Sequence, residues 1–138
     1  MSEVNVAVTA SLVADRDRLA FLPRFCNHLF VFVESSVFSA LSTLSDGVYC
    51  GAYWEFYTLS NGGFYMAPRH EVGYRLVCVG NGFEGHLSAD ACGVVATLFG
   101  LNRVISNFHD EQLIERYYKL REFALDHPES ALIMACID

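Results

Sequence analysis

Tyr53-Trp54-Glu55-Phe56-Tyr57-Thr58-Leu59-Ser60-Asn61-Gly62-Gly63-Phe64-Tyr65-Met66-Ala67-Pro68 sets two apolar runs on either side of an Asn-Gly pair. Within the wider run Tyr49–Leu59, Tyr53, Glu55 and Tyr57 alternate with Trp54 and Phe56, the period-two pattern of a strand with one face turned to a core. Asn61-Gly62 supplies the positive-φ residues of a hairpin turn, and Phe64–Ala67 returns antiparallel until Pro68, which has no ladder donor, stops it. The pattern then repeats as Gly73–Val79, Asn81-Gly82 and Phe83–Leu87. Two Asn-Gly turns this close together predict an antiparallel β-meander.

Outside this stretch, helical spacing dominates. Upstream, Leu19, Leu22 and Phe25 suggest a helical turn interrupted at Pro23. Leu29, Val33, Val37, Leu41 and Leu44 recur at helical spacing, while the β-branched and aromatic content of Leu29–Val33 leaves that segment open between helix and strand. A helix is expected from about Val33 to Leu44, ended by Asp46-Gly47. Val4, Val6 and Val8 alternate with polar or small residues as in a short strand. Downstream, Ser88 or Asp90 caps a nearly all-apolar helix over Ala91–Ile105, which should be buried. Asp110 opens an amphipathic helix with Leu113, Tyr117, Leu120 and Ala124 on one face, and Pro128 begins a last one over Glu129–Ile137. Strands in the middle and helices mostly after them describe an α+β fold: a single compact domain over residues 1–138, an antiparallel β-meander packed with several α-helices.

Composition bounds the function. In 138 residues, nine Lys+Arg stand against 16 Asp+Glu, a net charge of −7, and the hydrophobic fraction of 53% rules out intrinsic disorder as the main state. A nucleic-acid binder needs a basic stripe to displace counterions from phosphate. Here the densest basic group, Arg116, Lys119 and Arg121, is interleaved with Glu115 and Glu122, so no direct nucleic-acid binding is expected. Charge-free stretches such as Ser35–Ser45 and Ala91–Asn102 fall short of the ~20 apolar residues of a membrane span, and no membrane association is expected. No base precedes Arg16, so the head of a signal peptide is missing. Five cysteines without a C-x-x-C pair fit reduced, mostly buried thiols in a cytoplasmic protein.

The short motifs point to turns and core rather than chemistry. Gly80-x-Gly82-x-x-Gly85 matches the dinucleotide-binding glycine pattern literally. That reading needs a helix leading into a second parallel strand, whereas here one helix follows another and Glu84 would face the pyrophosphate. A hairpin explains these glycines. His86, Asp90 and Cys92 are close in sequence and raise the alternative of a small cytosolic thiol- or hydrolase-type enzyme, but such groups act through spatial geometry. Cys26-x-His28 is an isolated pair, and His70, His109 and His127 have no ligand at i+3 or i+4. No catalytic residue, metal or cofactor is expected.

Three blocks in order resemble the ArdB/KlcA antirestriction family. They are Tyr53–Pro68, quoted above; Asn81-Gly82-Phe83-Glu84-Gly85-His86-Leu87-Ser88-Ala89-Asp90-Ala91; and Tyr117-Tyr118-Lys119-Leu120-Arg121-Glu122-Phe123-Ala124 followed by His127-Pro128-Glu129, with Leu22-Pro23-Arg24 similar upstream. The resemblance covers nearly the whole chain. It implies a small α+β protein of plasmids and other mobile elements. Such a protein inhibits DNA cleavage by host type I restriction-modification enzymes while sparing methylation, without a known cofactor or catalytic residue.

The charge argues against inhibition by DNA mimicry. B-DNA carries one charge per ~1.7 Å, so a mimic ~35 Å long needs on the order of 20 uncompensated charges on one face. The chain has −7 in all, about −2 before His70 and −5 after it. A non-enzymatic inhibitor is expected instead, acting on the type I restriction complex or on a host factor controlling it, as a monomer or weak dimer. The expected interaction surface joins the hairpin tips to nearby acids, Asn61, Glu84 and Asp90. A second candidate is Asp138, whose negative charge at a helix end opposes the helix dipole.

Overall fold

A computed structural model describes residues 6–138. The described chain runs β1 (Ala10–Leu12), α1 (Arg18–Cys26), α2 (Phe30–Leu44), β2 (Trp54–Leu59), β3 (Phe64–Pro68), β4 (Tyr74–Cys78), β5 (Phe83–Leu87), α3 (Ala89–Phe108), α4 (Glu111–Asp126) and α5 (Ser130–Ile137). The architecture is α+β with antiparallel strands, as expected. Both hairpins form in the expected places, with Gly62 at φ +91° and Gly82 at φ +74°. Each turn is longer than a two-residue loop, because the last paired residues are Thr58↔Phe64 and Cys78↔Phe83.

The strands do not make one meander. β1, β2 and β3 form one sheet, and β4 and β5 form another. The reason is α3, which occupies the place beside β3 where β4 would pair. The Met66 N–H donates to Thr97 Oγ1 at 3.2 Å, and the same hydroxyl donates back to the Met66 carbonyl at 3.2 Å. One side chain thus satisfies both free-edge groups of Met66 and covers the edge with a helix. The close approach depends on Gly93, where a Cβ would lie 2.4 Å from Ala67 Cα.

α3 is the centre of the core. Val94, Val95, Leu98, Leu101 and Val104 are buried along it, facing Val33, Val37, Leu41 and Leu44 of α2 and the buried strand β3. Each such side chain contributes ~1.5–3 kcal/mol on burial. By length and composition alone, α3 and the segment Asp15–Leu44 are long and apolar enough to cross a membrane, where the charge-free stretches predict no span. α3 is mostly buried inside the protein, as a core helix is. Phe21 and Phe25 of α1 close the other side of the first sheet, with Phe21 stacked on Phe56 at 4.9 Å.

Several boundaries differ from the sequence reading. Val4 lies outside the described residues, and Val6–Thr9 is not strand; pairing starts at Ala10, where the register meets Leu59 at the end of β2. Pro23 sits inside α1 without breaking it. The carbonyl it leaves without a donor is that of Leu19, a residue open to water. The ambiguous Leu29–Val33 segment is helical from Phe30. β2 begins at Trp54 rather than Tyr49, because Tyr49 is drawn back: its N–H donates to Ser45 Oγ and its hydroxyl accepts from Trp54 Nε1, both at 2.9 Å. Ser88, not Asp90, caps α3, accepting from Ala91 N at 3.1 Å, and that helix continues past Ile105 to Phe108.

Candidate interaction surface

The two Asn-Gly loops are used alike. Asn61 accepts from Gly63 N at 3.0 Å and donates to the Lys119 carbonyl of α4 at 2.9 Å. Asn81 accepts from Phe83 N at 2.9 Å and donates to the Cys136 carbonyl of α5 at 2.9 Å. Each asparagine closes its own turn and clips it to a helix. Arg116 strengthens the first clip by donating to the Gly62 carbonyl at 2.7 Å. Asn61→Ala is therefore expected to cost about 1–2 kcal/mol, through the lost turn closure and the lost clip, and urea unfolding checks this. An unchanged midpoint would show that the loop holds its shape without the side chain.

Asp90, expected on the surface, lies in a polar network. Its Oδ1 accepts from the Tyr65 hydroxyl at 2.7 Å, and its Oδ2 accepts from His127 Nε2 at 2.7 Å. His127 Nδ1 accepts from the Glu129 N–H at 3.0 Å, which places the ring proton on Nε2, facing the carboxylate. The Glu129 carboxylate in turn accepts from Ser88 N at 2.9 Å and from the Ser88 hydroxyl, the cap of α3. Tyr65 is held between Tyr57, stacked at 4.7 Å, and Phe123, at 5.3 Å. The network ties β3, the start of α3 and the α4–α5 corner together.

Its electrostatics are those of a latch. Burial pushes the Asp90 carboxyl up, but the hydrogen bonds from His127 and Tyr65 outweigh it and hold the group below the usual carboxylate range. Burial, then the Asp90 hydrogen bond and charge, raise the Tyr65 hydroxyl far above its ordinary value, so it does not ionise. Both Asp90 carboxylate oxygens are engaged by donors.

The remaining candidates lie apart. Glu84 is exposed on β5 and pairs with Arg75, Nε to Oε1 at 3.1 Å. Asp138 pairs loosely with Arg121 of α4 at 3.7 Å, which offsets its unfavourable place at the end of α5. α4 and its C-cap His127 thus touch Asn61, Asp138 and Asp90, whereas Glu84 has its ion-pair partner on the β4–β5 hairpin.

The residues of the thiol reading are not brought together. Cys92 is fully buried, burial pushes its thiol up to about 12, and its Sγ lies 3.5 Å from the Leu87 carbonyl. His86 is exposed on β5 and bonds the Val72 carbonyl. No group of three or more His, Cys, Asp or Glu side chains that could hold a metal ion occurs among the described residues.

Sequence reading missed Tyr65, His127 and the Ser88–Glu129 contact as partners of Asp90. Their separations of 25, 37 and 41 residues leave no local pattern. The one available signal was a tyrosine within the buried strand Phe64–Pro68, since a buried hydroxyl needs a partner.

The family model for antirestriction proteins matches residues 47–138. This chain belongs to that family. Two antirestriction proteins KlcA of Escherichia coli are 44% and 46% identical to it, with all of both chains covered in each case. A solved structure of the KlcA and ArdB proteins superposes with a TM-score of 0.90 at 45% identity, again over 100% of both chains. Those proteins are described as having a novel fold and antirestriction activity against type I DNA restriction systems in vivo but not in vitro. The antirestriction match spans both hairpins and the Tyr65–Asp90–His127 network.

Proposed function

We propose that this antirestriction protein blocks DNA cleavage by host type I restriction-modification enzymes while sparing methylation. It acts in the cytoplasm, as a monomer or weak dimer, without catalysing a reaction and without imitating DNA. The observation that carries the non-mimic reading is the dispersal of its acidic groups. Glu55 pairs with Arg69, Glu84 with Arg75 and Asp138 with Arg121, while Asp90 is hydrogen-bonded by Tyr65 and His127, each on a different element. A DNA mimic needs a continuous row of uncompensated charge at ~1.7 Å per unit. The fully buried, poorly acidic Cys92 supports a non-catalytic mode. The in vivo but not in vitro activity of the KlcA and ArdB proteins favours, of the two proposed targets, a host factor controlling the restriction complex, which a purified reaction lacks.

The test is the plating efficiency of unmodified phage on a type I restricting host, with the modification of surviving progeny scored alongside. Restored plating with progeny still methylated is the expected result. Restored plating with unmethylated progeny would overturn the cleavage-specific reading and return the argument to occupation of a shared DNA site. Glu84→Ala and Asp138→Ala are the clean probes of surface contact, because their exposed ion pairs are each worth only ~0–1 kcal/mol. At least one of them is expected to reduce plating about tenfold while leaving the thermal midpoint within ~2 °C of wild type. Full activity in both would move the contact elsewhere.

A further inference from the structure

A groove of about 450 Å³ opens between α2, α3 and the β4–β5 hairpin, away from the polar latch at Asp90. That volume lies within the ~300–1,000 Å³ of ordinary small-molecule sites. Its walls are mainly apolar: Leu44 from α2, Phe99 from α3, and Val77 and Val79 from the hairpin. Val79 is 91% exposed, so its side chain finds little cover within the chain. Arg103 is the only charged residue on the lining, in a chain whose net charge is −7. Among the described residues its guanidinium makes one hydrogen bond, to Ser39 Oγ at 3.5 Å, the outer limit of such a contact. Most of its five N–H donors therefore remain available.

An apolar trough with one cation on its lining, the Ser39 hydroxyl beside that cation and no lining carboxylate complements one kind of molecule. We infer that this groove binds a small amphipathic monoanion, a medium-chain acyl or aryl carboxylate. The apolar chain lies along Val77, Val79 and Phe99, and the carboxylate takes a charge-assisted hydrogen bond from Arg103. Ser39 is released from Arg103 when the carboxylate arrives. The site is independent of the antirestriction reading, and either can fail without the other.

Cys78 supplies the reporter. It lines the groove and is partly exposed, whereas Cys26, Cys92 and Cys136 are buried and Cys50 is the exposed competitor. In the full-length Cys50→Ser protein, the rate of Cys78 alkylation by iodoacetamide is followed with decanoate, decanol or decyltrimethylammonium, each below its micellar concentration. Decanoate is expected to slow alkylation at least tenfold at saturation, and decyltrimethylammonium to give no protection. Arg103→Gln, at an exposed position, is expected to weaken decanoate about tenfold and to leave decanol unchanged. No protection by decanoate would overturn the site. Equal protection by all three probes, or a decanoate affinity indifferent to Arg103→Gln, would overturn its anion selectivity and with it the inference.

Discussion

Gly93→Ala is expected to destabilise the protein by about 2 kcal/mol or more, lowering the thermal midpoint by roughly 4–8 °C. Two effects oppose one another at this position. In an exposed helix, alanine is about 1 kcal/mol better than glycine. Here the added Cβ would meet Ala67 Cα and Cβ at 2.4 Å and the Met66 carbonyl oxygen at 2.5 Å. These are backbone and near-backbone atoms of a strand already paired to β2, so no rotamer change relieves the contact. The helix must move off β3, and that lengthens the paired Thr97–Met66 hydrogen bonds, which leaves buried edge groups without partners at ~1–3 kcal/mol each. Overpacking therefore wins over helix propensity. Thermal unfolding followed by circular dichroism is the measurement, and a midpoint equal to or above wild type would show that α3 does not seat on the edge of β3. Thr97→Val removes both edge bonds without the clash and is expected to cost about 2 kcal/mol or more by itself.

The same contact shows which parts of the fold are legible in sequence. The hairpins are written locally: alternation, an Asn-Gly pair, and alternation again, all within a few residues. The α2 stripe of Val33, Val37, Leu41 and Leu44 is equally local, and each of these residues is buried. Which strand edges meet is not local. β3 and β4 follow one another and both carry strand pattern, so a continuous sheet is the economical reading. What separates them is Gly93 and Thr97 on a helix later in the chain, where a glycine reads only as a weak helix former and a threonine as neutral. Pro23 shows the reverse error, since a strong local signal for a break is overridden in a helix whose residue four positions earlier, Leu19, is exposed.

Acidic residues near hairpin tips looked like a surface because charge usually stays in water. Asp90 keeps part of its side chain in water but is also held from within, since Tyr65 and His127 arrive from 25 and 37 residues away to fill both its oxygens. Asn61 and Asn81 were legible as turn formers but not as clips, because the carbonyls they bind belong to helices whose positions sequence does not give. Glu84 and Asp138 keep the exposed character expected of them. Their substitution reads function with little interference from folding, whereas change at Asn61 or Asp90 alters both.

Asp90→Ala is expected to cost about 2–5 kcal/mol at neutral pH, and the loss should shrink in acid. Removing the carboxylate leaves two donors with nowhere to go: the hydroxyl of Tyr65, a residue 2% exposed, and Nε2–H of His127, whose side chain is 6% exposed. Each unsatisfied buried donor costs ~1–3 kcal/mol. The Asp90 side chain is itself 41% exposed, so the direct charge contribution is partly screened and the stranded donors dominate. The pH dependence follows from the sign of the Asp90 shift, which is downward in the folded protein. A lowered folded value means that the carboxylate stabilises fully above its unfolded value of ~3.9 and that this contribution is lost as pH falls through the folded value. Wild type and Asp90→Ala should therefore differ most from pH 5 upward, within the range where both remain folded, and the difference should narrow as pH falls below ~3.9 toward the lower folded value. Urea unfolding at a series of pH values measures this. A difference that stays constant down to pH 3 would show that the latch does not depend on an ionised Asp90. Asp90→Asn, which keeps one carbonyl acceptor but loses the charge, should recover about half of the neutral-pH loss and keep the same margin over Asp90→Ala in acid, since neither side chain titrates.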